Sequence, residues 1–276
     1  MLYVCATPIG NLDDVTPRVL ETLRAVELVA AEDTRRTRKL LSRYDIHTPI
    51  TSLFEHNEAE KSAFVLARLQ AGADVALVSD AGLPGISDPG ARLVAAVAAE
   101  GLPLTVLPGA SAPATAVVAS GLDTAGGYRF VGYLPRRTAD LRGVWAAWRR
   151  GGGLVVAFET GPRLARALGA LAELAPAAPA AVCRELTKLH EEVARGTLAE
   201  LAARFAGDVK GEITLVIDTG PPVTADDADG ERAARAAAAL RAAGLTRRDT
   251  VAALAVCLGL RRAEAKHVVD EAFADQ

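Results

Sequence analysis

Long hydrophobic runs are missing from this sequence, although 50% of its 276 residues are hydrophobic. No apolar stretch approaches the roughly 20 residues that a helix needs to span a bilayer, so we expect no membrane partner. The chain starts directly in a strand pattern, MLYVCATPIG, with neither a basic segment nor a cleavage site. This start is not that of a signal peptide and predicts a cytoplasmic protein.

Disulfide partners and metal ligands are also scarce. The three cysteines, an odd number, are scattered at Cys5, Cys183 and Cys257, which argues against a disulfide framework and against a cysteine zinc site. We expect each of them to be a small core residue. The four histidines do not show metal-ligand spacing, so we expect no metal.

Several catalytic motifs are absent as well. The sequence contains no GxxxxGK[ST] and no GxGxxG after a strand, which excludes a P-loop ATPase and makes an ordinary dinucleotide fold a poor match. It contains no GxSxG and no HExxH. The net charge is −3, so a nucleic-acid partner would have to be bound by local basic patches.

What the sequence does contain is a regular alternation of strand and helix patterns. Strands that are apolar throughout, such as ADVALV, are typical of a parallel sheet covered on both faces. We therefore predict an α/β protein with a doubly wound, mostly parallel sheet in a domain at 1–121. Neighbouring strands without a helix between them predict a mixed sheet in a second α/β domain at 122–220. An acidic linker at 221–230 and a helical, alanine-rich tail at 231–276 follow, with a break at Gly259.

Three loops rich in glycine, proline and small polar residues each follow a predicted strand. They are TPIGN (7–11), SDAGLPGISDPG (79–90) and PGASAPAT (108–115). Ligands of open parallel sheets bind outside the carboxyl ends of the strands, so the loops predict one cleft lined mostly by main chain. Alternatively, all three are only tight turns, with Asp88 and Ser111 as the N-caps of the following helices.

At these loops the chain resembles the tetrapyrrole-methylase superfamily, the class III S-adenosylmethionine methyltransferases. The segments TPIGNLDDVTPR, AEDTRRTRKLL, SDAGLPGISDPG, PGASA, RELTK and GEITLVI, in this order, are similar to its branch of small-subunit ribosomal RNA (cytidine-2′-O)-methyltransferases. The resemblance spans Leu2 to about Asp218. AEDTR and RELTK distinguish this branch from the corrin and sirohaem enzymes, whose first loop reads more like GxGPGD.

The resemblance implies that S-adenosylmethionine lies folded in a cleft between two α/β domains, commonly in a homodimer. Residue by residue, it implies that the cofactor is bound by Pro8, Gly10, Asp80, Ala81, Gly82, Ile86, Ser111, Ala112 and Thr214. One position departs from the branch. Where it often has a histidine, in Glu-Ser-x-His-Arg-Leu, this chain has Pro162, which puts a substrate role for that histidine in doubt.

A ribose 2′-OH is a weak acid, so a base or an electrostatic group would assist its methylation. Candidate catalytic residues are Asp33 in AEDTR, with Glu185 and Lys188 in RELTK; Asp80 is a further candidate. Each has a plain structural alternative, which is a salt bridge: Asp33 with Arg35 or Arg36, and Glu185 with Lys188.

Arginines form two clusters that could contact RNA phosphates. The candidates are Arg35, Arg36, Arg38 and Lys39 on one predicted helix, and Arg136 and Arg137 further along the chain. The alternative is a solvated basic face paired with acids. The tail, with basic residues on a helix-break-helix pattern, could contact RNA or stabilise a dimer.

The first hypothesis is therefore a methyltransferase that uses S-adenosylmethionine on the 2′-OH of a cytidine in 16S ribosomal RNA, free or in the small subunit, and not on DNA. A second is a corrin or porphyrin C-methyltransferase on the same scaffold. A third is a non-catalytic RNA-binding assembly protein.

Overall fold

The computed structural model describes residues 1–54, 56–222 and 225–274. The chain divides into two compact units. The first unit comprises Met1–Gly143 and Gly153–Thr219, and it holds both sheets. The second comprises Val144–Gly152 and the chain from Gly220 onward. Helix α6 (Thr138–Gly151) begins in the first unit and ends in the second.

The first sheet is parallel throughout and confirms the predicted doubly wound arrangement. Its strands lie in the order β3-β2-β4-β1-β5. Their bounds are β1 Leu2–Cys5, β2 Leu28–Ala31, β3 Ile50–Ser52, β4 Val75–Val78 and β5 Leu104–Leu107. Strands β2 and β4 are buried at every residue, as strands covered on both faces should be.

Helices cover both faces of this sheet. Their bounds are α1 Pro17–Ala25, α2 Thr34–Arg43, α3 Glu58–Gln70 and α4 Ala91–Ala99. Leu23 of α1 and Leu41 of α2 belong to one core cluster. Val65 of α3 and Leu93 of α4 belong to the cluster on the opposite face. Because each βα connection returns to a parallel strand, all strand carboxyl ends lie at one sheet edge.

The second sheet is mixed, as predicted, with the order β6-β7-β10-β8-β9. Its strands are β6 Tyr128–Tyr133, β7 Leu154–Thr160, β8 Pro179–Arg184, β9 Glu192–Thr197 and β10 Glu212–Asp218. Within the described part of this second sheet, β6 and β7 pair in parallel, whereas β10 runs antiparallel to β7 and β8, and β8 runs antiparallel to β9. Helices α7 (Gly161–Leu174) and α8 (Leu198–Arg204) pack against this sheet.

Helix α5 (Ala112–Ser120) follows the first sheet but packs on the second. Val117 joins Cys183 and Val216 in a core cluster. The guanidinium of Arg195, on β9, donates from Nε to the carbonyl of Ser120 at 2.9 Å and from Nη2 to that of Ala119, which caps the C-terminus of the helix. Side-chain packing and this cap therefore tie the two sheets together within the first unit.

The tail is helical, as predicted, and has its own small core. Its helices are α9 (Ala225–Ala242), α10 (Arg247–Leu258) and α11 (Arg262–Ala272), which enclose Ala237, Leu254, Ala265 and Val269. Gly259 ends α10 in the left-handed conformation, at φ 67°. Helix α9 begins inside the range expected to be a linker, of which residues 223 and 224 lie outside the described residues. Acidic residues and alanines suit the first turns of a helix.

Two of the three cysteines are buried, as expected, but Cys257 is exposed on α10, so the prediction that it is a core residue is wrong. The buried residues described on α10 are Thr250 and Leu254, and Cys257 lies on the side of this helix that faces solvent. In the part of the chain that the structure describes, no helix combines the length and apolar character needed to cross a membrane.

Candidate functional site

The loops after β1, β4 and β5 meet at one edge of the first sheet. Thr7 and Gly82 exchange two backbone hydrogen bonds, with N···O distances of 2.8 and 3.0 Å. Gly109 lies so close to Ala6 that a Cβ on it would be 2.9 Å from the Ala6 Cβ. The predicted convergence of the three loops is therefore present, because β1 lies between β4 and β5 in the sheet.

A cavity of about 290 Å³ lies between these loops and the second sheet. It is lined by seven of the nine predicted cofactor residues, namely Asp80, Ala81, Gly82, Ile86, Ser111, Ala112 and Thr214. The other two, Pro8 and Gly10, line an adjoining cavity of about 230 Å³ that shares Ile9, Arg36, Asp80, Ala81 and Glu212 with the first. The structure thus brings all nine to one continuous region.

The second sheet contributes one wall of the larger cavity through residues of β6, β7, β8 and β10. Thr214 of β10 lies opposite Phe158 of β7 and Cys183 of β8. Phe158 packs edge-on against Tyr133, with ring centroids 5.6 Å apart. Sequence reasoning missed Tyr133 and Phe158. Phe158 shares a face of the sheet with Thr214 because the two are direct cross-strand partners, and this pairing could not be known before the strand register.

The RELTK segment lies at the turn after β8 and contacts the first loop closely. A Cβ on Gly10 would lie 2.6 Å from the Lys188 Cγ and 2.7 Å from the carbonyl oxygen of Leu186. The amide of Asn11 donates to the hydroxyl of Thr187 at 2.9 Å. Glu185 and Thr187 hold left-handed backbone conformations, with φ of 51° and 63°. Strain of this kind is concentrated at functional loops.

All three residues predicted to be catalytic are held in ion pairs. The Asp33 carboxylate accepts from Arg35 at 2.7 Å and caps α2, and these contacts hold its pKa well below the usual range. Asp33 does not line the larger cavity, but its neighbour Glu32 does. The Glu185 carboxylate accepts from the ammonium of Lys188 at 2.8 Å. Their catalytic roles stay predictions.

Lys188 lies between two carboxylates, since its Nζ also lies 2.8 Å from Glu212. Burial lowers the pKa of Lys188, but hydrogen bonds to Glu185 and Glu212 outweigh burial and raise it overall. The pKa of Glu185 is lowered, first by the hydrogen bond from Lys188. Both groups are therefore charged at neutral pH, which suits an electrostatic role better than proton abstraction.

The lining of the larger cavity is acidic. Glu32 accepts from the backbone N–H of Asp80 at 3.1 Å, and burial raises the pKa of Glu32. Asp80 accepts from the backbone N–H of Asp33 at 3.0 Å and lies 3.4 Å from Nε of Arg36. Burial, and then the negative charge of Glu32, raises the pKa of Asp88 to about 6. Sequence analysis did not single out Glu32, because Asp33, the next residue of the AEDTR motif, was chosen as the catalytic candidate.

The predicted RNA-contacting residues lie on the surface. Arg35, Arg38 and Lys39 are exposed on α2, whereas Thr37, Leu40 and Leu41 form its buried face. Arg36 and Lys39 line the cavities, so this helix borders the site. Arg136 and Arg137 are exposed before α6, where Arg137 pairs with Asp140 at 3.0 Å.

The position that departs from the family pattern has a structural explanation. Pro162 lies in the first turn of α7, where a proline costs no hydrogen bond. Within the described ranges, no group of three or more His, Cys, Asp or Glu side chains is arranged to hold a metal ion.

Comparison with known proteins adds sequence relatives. Residues 1–202 match the family model described as Tetrapyrrole (Corrin/Porphyrin) Methylases. The chain is 47% identical over 224 residues to the ribosomal RNA small subunit methyltransferase I of Mycobacterium tuberculosis, covering 80% of this chain and 78% of that protein. It is 42% identical over 249 residues to the protein of the same name from Synechocystis, covering 90% and 89%.

Solved structures share the fold at low identity. The uroporphyrin-III C-methyltransferase of Thermus thermophilus, complexed with S-adenyl homocysteine, matches with a TM-score of 0.56 at 17% identity, over 79% of this chain and 96% of that one. A diphthine synthase matches with a TM-score of 0.62 at 16% identity, over 79% and 89%. At such identities the likeness shows the fold alone.

Proposed function

The chain belongs to the tetrapyrrole (corrin/porphyrin) methylase family, and we propose that it is an S-adenosylmethionine-dependent methyltransferase of small-subunit (16S) ribosomal RNA. We propose further that the acceptor is the ribose 2′-OH of a cytidine. The observation that carries the proposal is identity of 41–47% to relatives named ribosomal RNA small subunit methyltransferase I, over most of both chains.

The cavity suits the methyl donor in charge and in shape. S-adenosylmethionine carries a positive sulfonium and a positive ammonium, and the carboxylates of Glu32, Asp80 and Asp88 face the same space. Glycine and alanine at Gly82 and Ala112 leave main chain exposed for close contact. When bound, the donor supplies an activated methyl group, and the protein's task is to orient it toward the acceptor oxygen.

We assign the nine lining residues in the order that the family resemblance implies. Pro8 and Gly10 form one wall; Asp80, Ala81, Gly82 and Ile86 contact the methionine part and the ribose; Ser111 and Ala112 flank the sulfonium; and Thr214 approaches the adenine. Their shared location around two adjoining cavities supports the assignment.

The RNA would reach the cavity along the basic surface of α2. Arg38 and Lys39 are exposed and form no ion pair with any residue that the structure describes, so their charges are available to phosphates. Arg36 extends the basic surface to the cavity itself. A small-molecule methyltransferase has no need of such a surface.

The alternative of a corrin or porphyrin C-methyltransferase rests on fold likeness below 20% identity. The first loop, TPIGN at 7–11, also differs from the GxGPGD type of those enzymes. The non-catalytic alternative, an RNA-binding assembly protein, predicts cofactor binding without methyl transfer to any RNA. The cytoplasmic location and the homodimer stay predictions. Analytical ultracentrifugation would test the homodimer by measuring the mass of the protein in solution.

The test supplies S-adenosylmethionine with a labelled methyl group and, separately, naked 16S ribosomal RNA and small subunits from cells that lack this enzyme. We expect label in a cytidine that resists alkaline cleavage on its 3′ side, because methylation removes the 2′-OH that alkali needs. Label at a base, or calorimetric cofactor binding without label in either RNA, would contradict the proposal. After the second result, uroporphyrinogen would be tested as the methyl acceptor, which examines the C-methyltransferase alternative.

A further inference from the structure

Most carboxylates that line the larger cavity are already engaged. Glu32 accepts from the amide of Asp80 at 3.1 Å. Asp80 accepts from the amide of Asp33 and pairs with Arg36. Glu212 pairs with the ammonium of Lys188 at 2.8 Å. None of these carboxylates can take up a proton without giving up a contact that holds the site together.

Glu159 also borders the cavity, but its carboxylate belongs to the other face of the second sheet. Phe158 and Thr214 are cross-strand partners whose side chains lie on the cavity face of the sheet. Glu159 pairs with Ile213, one residue further along β7, and successive side chains of a strand point to opposite faces. Its partner is Arg163, on α7, at 3.0 Å. Glu159 therefore has a structural contact below the cavity wall rather than a contact to ligand.

Asp88 is different, because no cation and no backbone N–H contacts its carboxylate among the described residues. The structural role expected of it, as the N-cap of α4, is filled from elsewhere. The N-cap residue is Gly90, and Oε1 of Glu58 accepts from the backbone N–H of Gly90 at 2.9 Å and of Arg92 at 3.4 Å. The half-buried Asp88 side chain is thus left to line the cavity.

The loop holds Asp88 in place through its backbone. Ser87 adopts a left-handed conformation at φ 63°, and Gly90 has φ 116°. A Cβ on Gly90 would lie 2.8 Å from Cδ2 of Leu77, so the loop is packed tightly against the core of the first sheet. A non-glycine residue in the left-handed region is a cost that recurs at functional sites.

We propose that Asp88 is the general base that accepts the proton of the attacking ribose hydroxyl, an inference that rests on the proposed function. The 2′ oxygen forms its new bond to the methyl carbon as the carbon–sulfur bond breaks, and the electron pair of that bond stays on sulfur. The proton passes from the 2′ oxygen to the Asp88 carboxylate and then to solvent, since the side chain is only half-buried.

Burial and the acidic groups around Asp88 raise its pKa toward the range in which a carboxylate can act as a general base at neutral pH. Glu32 from the β2–α2 turn and Asp80 from its own loop are acidic, the Ser79 hydroxyl is a donor, and the Tyr133 phenol faces it from β6. The Ser79 hydroxyl also lies 3.4 Å from the carbonyl of Ala81, so its one proton is not committed to Asp88. With a pKa of about 6, Asp88 is ionised at neutral pH and able to take a proton.

The test compares the wild-type chain with Asp88→Asn in single-turnover methyl transfer to small subunits that lack the modification. We expect a rate lower by about 100-fold or more, because asparagine cannot accept the proton. Calorimetric affinity for S-adenosylhomocysteine, which lacks the sulfonium charge, should fall far less than the rate. Asp123→Asn, at an exposed position between α5 and β6 that lines neither cavity, is the matched control and should keep the wild-type rate.

The pH profile is a second readout that needs no variant. The wild-type rate should rise by about tenfold per pH unit at acidic pH and level off near or below pH 6, since bound cationic donor favours the carboxylate. A wild-type rate that does not fall in this acidic range would overturn the assignment, as would an Asp88→Asn chain that transfers methyl normally.

The remaining outcomes separate the two proposals. If Asp88→Asn lowers S-adenosylhomocysteine affinity as much as the rate, Asp88 is a ligand of the donor and not the base. If Asp88→Asn fails to fold, as shown by its melting curve, Asp88→Ser and the wild-type pH profile decide. If the wild-type chain transfers no methyl group to either RNA, the proposed function falls, and the base assignment falls with it.

Discussion

Glu159 and Arg163 form an ion pair at 3.0 Å beneath the wall of the cavity, with side chains that are only 1% and 21% exposed. Arg163 also donates to the carbonyl of Leu134 at 2.6 Å, so it joins the ends of β6 and β7 to α7. One oxygen of Glu159 has no hydrogen-bond partner in the described ranges, and burial raises its pKa in spite of the nearby guanidinium.

Breaking this pair should cost stability. Glu159→Ala leaves the Arg163 charge without its partner. We expect the free energy of unfolding to fall by about 2–3 kcal/mol. This loss is near the lower end of what breaking a buried ion pair costs, because the Arg163 side chain is partly exposed. Urea denaturation followed by circular dichroism measures the change. Glu173→Ala breaks the exposed pair with Arg142 and should cost less than about 1 kcal/mol. Equal losses would contradict this account.

Strand and helix alternation, and the glycine-rich loops, could be predicted from the sequence because their signals are local. The role of Asp88 could not. Its spacing before α4 suggested an N-cap, whereas the capping carboxylate comes from Glu58, which lies 32 residues before Gly90. Glu32 was missed for a related reason: which of two adjacent acids points into a cavity depends on where α2 begins, which a sequence pattern fixes only within a residue or two.

Gly10 should tolerate no side chain, because a Cβ there would overlap the backbone carbonyl of Leu186 as well as two side chains. We expect Gly10→Ala to separate the first loop from the RELTK turn, to weaken S-adenosylhomocysteine binding in calorimetry and to cost about 1–3 kcal/mol of stability. Gly169→Ala, on α7, meets nothing within 4 Å and should leave binding unchanged and stability slightly higher. Unchanged binding by both variants would refute the close docking of the two loops.

The two buried thiols should be unreactive. Burial raises the pKa of Cys5 to about 12 and that of Cys183 to about 11, so almost no thiolate forms at mildly alkaline pH. Cys257 is exposed. A thiol reagent such as dithionitrobenzoate should therefore modify one cysteine quickly in the folded protein and all three in denaturant. Cys257→Ser should remove the fast phase; a fast phase that persists would show that one buried thiol is accessible.

The basic surface of α2 should be visible in the salt dependence of RNA binding. Arg38→Ala and Lys39→Ala each remove one phosphate contact, so the slope of log affinity against log salt should become shallower by about 0.7–0.9 per contact. Arg92→Ala, which removes an exposed charge from α4 on the opposite face of the first sheet, should leave the slope unchanged. Filter binding to 16S ribosomal RNA over a salt series measures all three. Because non-specific attraction would respond equally to any lost charge, equal slopes for the α2 and α4 variants would show that α2 does not form the RNA path.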